Sequence, residues 1–330
     1  MIWVAGEMST IARAFWVTGP SRGELREEAL PAPGEHEILV ETLYTAVSRG
    51  TESLVFRGRV PESEYERMRC PHQAGAFPTP VKYGYSNVGR VAVGSAALEG
   101  RLVFCLYPHQ TAYVVKETDV VLVPDSVPAS RAVLAANLET ALNALWDAEP
   151  RLGDRISVVG AGVVGCLVAH LARSIAGTDV ELVDVLPERA EVAAALGIRF
   201  ALPGSAASER DLVFHASGHP QGVTTALELA APDTSVIELS WFGDTQVTLP
   251  LGQAFHVRRL ALRASQVGSI SPHARRRFSY RSRLELALSL LSDARLDLLF
   301  SDESDFEALP GTMQRLTAAA GPLCHRVRYA

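Results

Sequence analysis

A glycine-rich segment, G-A-G-V-V-G at residues 160–165, lies between a predicted strand, Ile156–Val159, and an apolar predicted helix, Val163–Ser174. The first glycine of such a segment makes a tight turn, the second lets backbone approach a pyrophosphate, and the third permits close packing of helix on strand. The amino end of the helix adds N–H groups and a positive partial charge that stabilise phosphate. The segment predicts a dinucleotide site. The residues assigned to its phosphate contacts are Gly160, Gly162, Val163, Val164 and Gly165.

An acidic residue, Asp184, follows the next predicted strand, nineteen residues after Gly165. A carboxylate at this place accepts hydrogen bonds from the adenosine ribose hydroxyls and repels a 2′-phosphate. The pattern favours NAD over NADP as the cofactor, and NADP stays as the alternative. Arg189, five residues further on, either flanks the adenine, reaches a phosphate or lies on a helix surface. The other interpretation of the whole pattern is a glycine turn of an α/β protein that holds no cofactor.

The elements that must position these groups are of two kinds. From Ala12 to about Pro128, short β-branched and aromatic runs separated by glycine and proline predict a β-rich lobe, which we interpret as a partly open barrel. From Asp154 onward, strands alternate with helices, which predicts a parallel, doubly wound sheet. The predicted fold class is therefore α/β, with residues 1–129 and 270–330 in one domain and residues 130–269 in the other.

Three further elements are predicted around the second lobe. Residues Ser130–Ala148 have apolar side chains at helical spacing and predict one continuous helix. The tail alternates between helix and strand, with a strand predicted at Leu296–Phe300. Its final strand, Leu323–Tyr329, is predicted to return to the first lobe.

Composition excludes several classes of protein. The chain has 330 residues, 48% hydrophobic and 21% charged, which is typical of a globular protein with a sizeable core. A net charge of -6 gives no overall attraction to nucleic acid or to an anionic membrane, and no apolar stretch approaches the roughly 18 residues of a membrane span. The four cysteines lie far apart, and residues 1–10 carry no secretory signal pattern. We therefore expect a cytoplasmic protein that binds neither nucleic acid nor membrane.

The β-rich lobe, the glycine segment and the chain end C-H-R-V-R at residues 324–328 together resemble the medium-chain dehydrogenase/reductase superfamily over nearly the whole chain. The resemblance implies a GroES-like, partly open β-barrel catalytic domain and a Rossmann domain with a doubly wound parallel sheet. It also implies a small-molecule substrate and a homodimer joined through the edges of the Rossmann sheets.

The resemblance further allows the zinc positions of the family to be compared with this chain. Ser48 or Arg49 stands where zinc-dependent members have a cysteine ligand, and Tyr85 stands where they have a histidine. The third ligand position falls near Ala136, and the cysteine-rich structural zinc lobe has no counterpart. We therefore predict an enzyme that binds no zinc.

Without a metal, side chains must stabilise or protonate the alkoxide that hydride transfer to a carbonyl produces. Tyr85 is the first candidate acid, with Lys82 placed to lower its pKa by adjacent positive charge. The alternative role of Tyr85 is packing. The further candidates belong to three groups. The resemblance assigns Thr51 as a relay hydroxyl, with Ser48 and Glu52 beside it. His109 is a loop histidine, and Glu139 is a carboxylate in a stretch that related enzymes place near the nicotinamide.

Each of these candidates also has an ordinary role: Thr51 and Glu52 in a turn, His109 in solvent and Glu139 on a helix surface. The resemblance also assigns further cofactor contacts after the later strands and at the chain end. They are Thr140, Ser217, Gly218, Ser265, Gln266 and Arg326.

The leading functional hypothesis is a zinc-independent oxidoreductase that interconverts a ketone and a secondary alcohol on a polar, cyclic metabolite such as a sugar, aminocyclitol or pterin. A second hypothesis is reduction of a carbon–carbon double bond in an enone or quinone. A third is a dinucleotide-binding protein without catalysis.

Overall fold

The structure is a computed structural model that describes residues 10–318 and 322–329. The prediction that the chain begins without a secretory signal concerns residues that lie outside this part, apart from Thr10. Contacts divide the chain into two compact units. The first unit comprises the residues up to Ala136, Leu284–Ser292 and the residues from Phe300 onward, and the second unit comprises Asn137–Arg283 and Asp293–Leu299. The sequence had placed these limits at residues 129/130 and 269/270.

The described residues form strands and α-helices in an order that changes from mainly strands to alternating helix and strand. The strands are β1 (Thr10–Gly19), β2 (Arg22–Leu30), β3 (Glu37–Val47), β4 (Ala74–Gly75), β5 (Val81–Lys82), β6 (Asn87–Val93), β7 (Leu102–Cys105), β8 (Ala112–Lys116), β9 (Val120–Leu122), β10 (Arg155–Val159), β11 (Asp179–Val183), β12 (Arg199–Ala201), β13 (Leu212–His215), β14 (Ser235–Glu238), β15 (Ala261–Ala264), β16 (Phe300–Asp305) and β17 (Cys324–Arg328). The helices are α1 (Arg49–Phe56), α2 (Ala129–Ala132), α3 (Ala135–Ala148), α4 (Val163–Arg173), α5 (Arg189–Ala195), α6 (Pro220–Leu229), α7 (Tyr280–Ser289) and α8 (Leu309–Ala318).

Two sheets build the first unit. One has the strand order β2-β1-β5-β4, and the other has the order β16-β17-β3-β6-β7-β9 with β8 also paired to β3. Their pairs are antiparallel except for β16 and β17, which run parallel. Alternating apolar side chains such as Ile38, Val40 and Val91 form the core of the second sheet, together with Tyr113. The predicted return of the last strand is confirmed, because β17 pairs with β3.

The second unit contains one six-stranded sheet, in the order β12-β11-β10-β13-β14-β15 and parallel throughout. Helix α4 packs on β10 and β11, and helix α6 packs on β10 and β13. The chain changes direction along the sheet between β10 and β13, and the carboxyl ends of strands at such a switch point are where open α/β sheets bind ligands. The predicted doubly wound parallel sheet is thus confirmed.

Two element predictions are wrong. The continuous helix predicted at 130–148 is two helices, α2 and α3, with Val133 and Leu134 between them. The strand predicted at Leu296–Phe300 is instead a 3-10 helix, Ala294–Leu299, and β16 begins at Phe300. A short apolar run has no decisive period, and β16 itself has polar residues that alternate between half-buried and exposed. Across residues 10–318 and 322–329, no helix combines the length and the apolar character that crossing a membrane requires.

Candidate functional site

The three glycines of the 160–165 segment differ in what their missing side chains leave room for. A Cβ at Gly160, where φ is +106°, would lie 2.5 Å from the backbone nitrogen of Ser217, and one at Gly165 would lie 1.8 Å from the carbonyl oxygen of Gly160. A Cβ at Gly162 would meet nothing within 4 Å. The fold therefore requires Gly160 and Gly165 to be glycine. Gly162 instead keeps a space open at the amino end of α4.

Helix α4 begins immediately after Gly162, and no side chain hydrogen-bonds to its first turn at the N-cap position. Val163 and Val164 are the first two helical residues, and both are half-buried. The first N–H groups of a helix have no partner within the helix, and they favour an anion. The backbone here is therefore suited to a phosphate group.

Asp184 lies beside this segment, immediately after β11. One of its carboxylate oxygens accepts a hydrogen bond from the N–H of Ala161 at 2.7 Å, and the other accepts one from the N–H of Leu186 at 3.0 Å. Arg189 is the first residue of α5. Burial raises the pKa of the Cys166 thiol in α4 to about 12, and the positive charge of Arg189 opposes this shift. The predicted acidic residue and the glycine segment are thus brought together, with Arg189 nearby.

In the first unit, the phenol of Tyr85 lies near the side chains of Ser48 and Thr51. Burial raises the pKa of Tyr85 well above its usual range, the nearby charge of Glu52 raises it further, and the hydroxyls of Ser48 and Thr51 oppose the shift only in part. The phenol therefore keeps its proton at neutral pH. It can donate a hydrogen bond or a proton but does not serve as a phenolate base.

A buried chain of polar groups lies next to this cluster. The Nε2 atom of His109 is 2.8 Å from a carboxylate oxygen of Glu52, and its Nδ1 atom is 2.7 Å from the hydroxyl of Thr45. The other carboxylate oxygen of Glu52 accepts the N–H of Ser48 at 2.7 Å. Thr45 in turn lies 3.2 Å from the hydroxyl of Tyr329. His109 and Glu52 are only 1% and 4% exposed, so the interpretation of His109 as a solvated loop residue is wrong.

Lys82 does not act on Tyr85 in the way the sequence suggested. Its Nζ atom lies 2.6 Å from a carboxylate oxygen of Glu28 and 2.6 Å from the side-chain oxygen of Gln110, and its side chain is 5% exposed. Gly84, between Lys82 and Tyr85, has a φ of +141°. The pKa of Tyr85 is raised rather than lowered, so the prediction that Lys82 lowers it is wrong.

Glu139 forms an ion pair with Arg283. It is buried in α3, and one carboxylate oxygen accepts a hydrogen bond from the Nε of Arg283 at 2.9 Å. Arg283 donates further hydrogen bonds to Asn143 and to the carbonyl of Val267. Burial raises the pKa of Glu139, and the charge of Arg283 opposes the shift. The alternative of a helix-surface glutamate is therefore wrong, and the ion pair gives Glu139 a structural role in the second unit.

Three further residues predicted to contact the cofactor, Ser265, Gln266 and Thr140, each have different neighbours in the second unit. Ser265 is 9% exposed and donates its hydroxyl to Asp147 at 2.7 Å, so its side chain is directed into the second unit. Gln266 accepts the N–H of Gly268, and Thr140 is half-buried in α3.

Arg326 lies in β17 of the first unit, where its guanidinium bonds to Glu303 and to the carbonyl of Ser130. The same guanidinium packs over the rings of Tyr44 and Phe300. Its predicted role toward a pyrophosphate therefore remains a prediction.

The sequence analysis missed His215 and Glu238, which end the adjacent strands β13 and β14. Nδ1 of His215 lies 2.7 Å from a carboxylate oxygen of Glu238, and Nε2 lies 2.6 Å from the hydroxyl of Ser217. Ser217 and Gly218 are exposed beside them. A signal was available in the sequence, because a histidine and a glutamate that directly follow apolar residues at the ends of two strands are costly to bury unless they are paired.

Metal ions in proteins are commonly held by clusters of His, Cys, Asp and Glu side chains. Within residues 10–318 and 322–329, no group of three or more His, Cys, Asp or Glu side chains is arranged to hold a metal ion. Catalysis without zinc remains a prediction.

Comparison with known proteins finds no matching family model. An uncharacterized zinc-type alcohol dehydrogenase-like protein of Haemophilus influenzae is 42% identical over 76 residues, which are 23% of this chain and 22% of that protein. The match therefore spans less than a quarter of that relative.

Solved structures match over almost the whole chain. L-idonate 5-dehydrogenase of Escherichia coli has a TM-score of 0.80 at 17% identity, covering 97% of this chain and 99% of that one. A putative zinc-binding dehydrogenase of Sinorhizobium meliloti bound to NADP has a TM-score of 0.76 at 17% identity, with the same coverage. At this level of identity, the structural matches establish the fold.

Proposed function

We propose that this chain, a member of the medium-chain dehydrogenase/reductase superfamily, is an NAD(P)(H)-dependent oxidoreductase that interconverts a ketone and a secondary alcohol without catalytic zinc. The observation that carries the proposal is the hydroxyl cluster of Tyr85, Ser48 and Thr51. In the resemblance to the family, Tyr85 and Ser48 correspond to zinc-ligand positions and Thr51 to the hydroxyl of a proton relay. A protonated phenol in such a place supplies the acid that a metal-free carbonyl reduction needs.

The residues of the second unit fit a nicotinamide dinucleotide. The open space at Gly162 and the uncapped amino end of α4 suit a pyrophosphate, because both leave backbone N–H groups accessible. Asp184, held at the glycine segment by the N–H of Ala161, keeps a carboxylate available to ribose hydroxyls. When bound, the nicotinamide supplies or accepts the hydride. The proposed cofactor is NAD, since the charge of Asp184 repels a 2′-phosphate.

In the proposed reaction, a side chain of the first unit donates the proton. The hydroxyl of Tyr85, which holds its proton at neutral pH, donates to the substrate oxygen as negative charge develops there. Ser48 and Thr51 orient the phenol through their hydroxyls. Glu52 and His109 form a buried pair behind them that fixes the start of α1 through the N–H of Ser48.

The proposed substrate is a polar carbonyl or alcohol, cyclic and of the size of a sugar, aminocyclitol or pterin. The support is the number of hydroxyl groups around Tyr85, which offer hydrogen bonds that an apolar enone does not use. L-idonate, the substrate in the name of one structural neighbour, is likewise a polar polyhydroxylated alcohol, although its chain is open.

The test combines cofactor binding, metal content and turnover. Metal-stripped protein is titrated with NADH and with NADPH, zinc is measured by elemental analysis, and NADH oxidation is followed with a panel of ketoses, cyclic ketones and enones. Micromolar binding and turnover of a polar ketone without zinc support the proposal. Stoichiometric zinc that is required for turnover contradicts it, turnover of enones alone makes the chain a double-bond reductase, and binding without any turnover makes it a non-catalytic dinucleotide-binding protein.

We further propose a homodimer formed through β15. This strand lies at the end of the six-strand order, and all four of its residues, Ala261–Ala264, are exposed among the residues that the structure describes. An open strand edge pairs readily with an identical edge. Light scattering coupled to size exclusion tests this, with Leu262→Pro expected to give monomers because proline removes a ladder donor. A parent chain that elutes as a monomer contradicts it.

We also propose a cytoplasmic location. All four cysteines are free and buried in the described structure, which suits a reducing compartment.

A further inference from the structure

In the second unit, His215 lies between the carboxylate of Glu238 and the hydroxyl of Ser217. It ends β13 next to Glu238, its register partner at the end of β14, and its side chain is fully buried. Nδ1 is 2.8 and 2.7 Å from the two carboxylate oxygens of Glu238, and Nε2 is 2.6 Å from the hydroxyl of Ser217. The proposed function uses neither His215 nor Glu238.

The partners of His215 determine the direction of each hydrogen bond. An ionised carboxylate only accepts, so the ring places its proton on Nδ1 and donates it to Glu238. In the neutral ring Nε2 is then an acceptor. The hydroxyl of Ser217 has two acceptors within reach, Nε2 at 2.6 Å and the carbonyl oxygen of His219 at 3.4 Å, and it donates its one proton to the much nearer Nε2. Ser217 can therefore no longer donate to a ligand.

The acceptor capacity of Ser217 can be counted in the same way. A hydroxyl oxygen has two lone pairs, and one of them accepts the N–H of His219 at 3.2 Å. Among the described residues, no other N–H group donates a hydrogen bond to the hydroxyl oxygen of Ser217, so the second lone pair is unoccupied. Because Ser217 is exposed, this lone pair is available to a hydrogen-bond donor on a ligand.

The position of Ser217 in the sheet indicates which part of a dinucleotide it faces. Its backbone nitrogen would lie 2.5 Å from a Cβ on Gly160, so it sits against the first glycine of the phosphate segment. It follows β13, on one side of β10, whereas Asp184 follows β11 on the other side. A dinucleotide bound across this switch point has its adenosine on the side of Asp184 and its second nucleoside on the side of Ser217.

We infer that Glu238 and His215 are positioning residues that fix Ser217 as an obligate acceptor for a ribose hydroxyl of the second nucleoside of the bound dinucleotide. The inference rests on the proposed function, because it requires a dinucleotide in the second unit. A ribose hydroxyl is the donor that every such cofactor carries next to the pyrophosphate, whereas the amide donor of nicotinamide lies one ring further away.

Three ligands distinguish which part of the dinucleotide Ser217 contacts. ADP lacks the second ribose, ADP-ribose has the second ribose but no nicotinamide, and NADH has both. Their dissociation constants are measured at pH 8 by calorimetry for the parent chain and for Ser217→Ala. The expected result is a loss of about three- to tenfold for both ADP-ribose and NADH, with ADP unchanged. Ser217→Thr, which retains the hydroxyl, is expected to recover most of the affinity.

A second variant tests the role of His215 without removing any polar group. A Cβ on Gly222 in α6 would lie 2.2 Å from the hydroxyl of Ser217 and 2.6 Å from Nε2 of His215. Gly222→Ala therefore separates the pair, and it is expected to give the same ligand pattern as Ser217→Ala. Gly311→Ala in α8, where a Cβ meets nothing within 4 Å, is the matched control. Melting temperatures identify any variant that loses its fold.

The outcomes are distinguishable. If the parent chain binds none of the three ligands, the proposed function fails and this inference fails with it. If the parent binds NADH but Ser217→Ala leaves ADP-ribose unchanged, only the inference is overturned. A loss for NADH alone would assign Ser217 to the nicotinamide amide and would also overturn it.

Discussion

His109 and Glu52 face each other in the interior of the first unit, with Nε2 of the imidazole 2.8 Å from a carboxylate oxygen. Both side chains are almost completely buried, and each has a second partner. Thr45 bonds to the other ring nitrogen, and the N–H of Ser48 bonds to the other carboxylate oxygen. The pair therefore fixes both the start of α1 and the loop that carries His109, around the hydroxyl cluster of Tyr85.

Removing the carboxylate should therefore cost stability. Glu52→Ala leaves the buried His109 and the partly buried N–H of Ser48 without this acceptor, and we expect the free energy of unfolding to fall by about 3 kcal/mol. Glu52→Gln retains an acceptor and should lose less. Urea denaturation measures both, with the exposed Glu62→Ala as a control that stays within about 0.5 kcal/mol of the parent. Equal losses for Ala and Gln would show that the buried hydrogen bonds are not the cause.

The phenol of Tyr85 should be needed for turnover but not for cofactor binding. Tyr85→Phe removes the donor to the developing alkoxide, and we expect carbonyl reduction to slow by about 10²- to 10⁴-fold with the NADH dissociation constant unchanged. Tyr83→Phe is the matched control, because the hydroxyl of Tyr83 donates instead to the carbonyl of Met68. Steady-state kinetics and a binding titration decide the matter, and full activity of Tyr85→Phe would remove Tyr85 from the mechanism.

The pH profile should reflect the raised pKa of Tyr85. Burial is the main cause of the shift, and the charge of Glu52 adds to it. Because the pKa lies above the ordinary phenol value of about 10, the proton is retained as pH rises. We expect kcat/KM for reduction to show no decline from phenol ionisation between about pH 7 and pH 10. A decline in that range that disappears in Tyr85→Phe would mean that the pKa is lowered instead.

The glycines of the 160–165 segment should separate stability from binding. A Cβ at Gly165 would overlap the carbonyl of Gly160, so Gly165→Ala should lower the free energy of unfolding by about 1–3 kcal/mol. A Cβ at Gly162 meets nothing, so Gly162→Ala should keep its melting temperature and weaken NADH binding. Thermal unfolding and calorimetry test both. Unchanged binding in Gly162→Ala would mean that no pyrophosphate occupies this space.

Asp184 should control the choice between the two dinucleotides. Asp184→Ser removes the charge that repels a 2′-phosphate, so the ratio of the NADPH and NADH dissociation constants should fall by about tenfold, equivalent to about 1.4 kcal/mol. Glu188→Ser, an exposed carboxylate four residues away, is the control. An unchanged ratio in Asp184→Ser would place the ribose elsewhere.

Local sequence patterns predicted much of the fold because their physical causes are local. The strand, glycine turn and helix at residues 156–173 follow from short-range sterics and from apolar spacing, and the structure reproduces them within one or two residues. Asp184 was found for the same reason, since it directly follows a buried strand. The break between α2 and α3 and the 3-10 helix before β16 had no such signal.

The partner of each buried polar group was decided by tertiary structure. Lys82 is three residues from Tyr85 in the sequence, yet it pairs with Glu28 across the first sheet. Glu139 meets Arg283, 144 residues away along the chain. A charged side chain is stable in the interior only beside a partner, and that partner can come from any strand or helix that the fold brings near.

The sequence by itself thus determined the glycine segment, its acidic neighbour and the two kinds of sheet, because each depends on the spacing of nearby residues. The tertiary structure alone decided that Tyr85 lies beside the hydroxyls of Ser48 and Thr51 with its pKa raised, and that His215 is held between Glu238 and Ser217. These properties depend on burial and on the direction of side chains from separate elements, which no local pattern records.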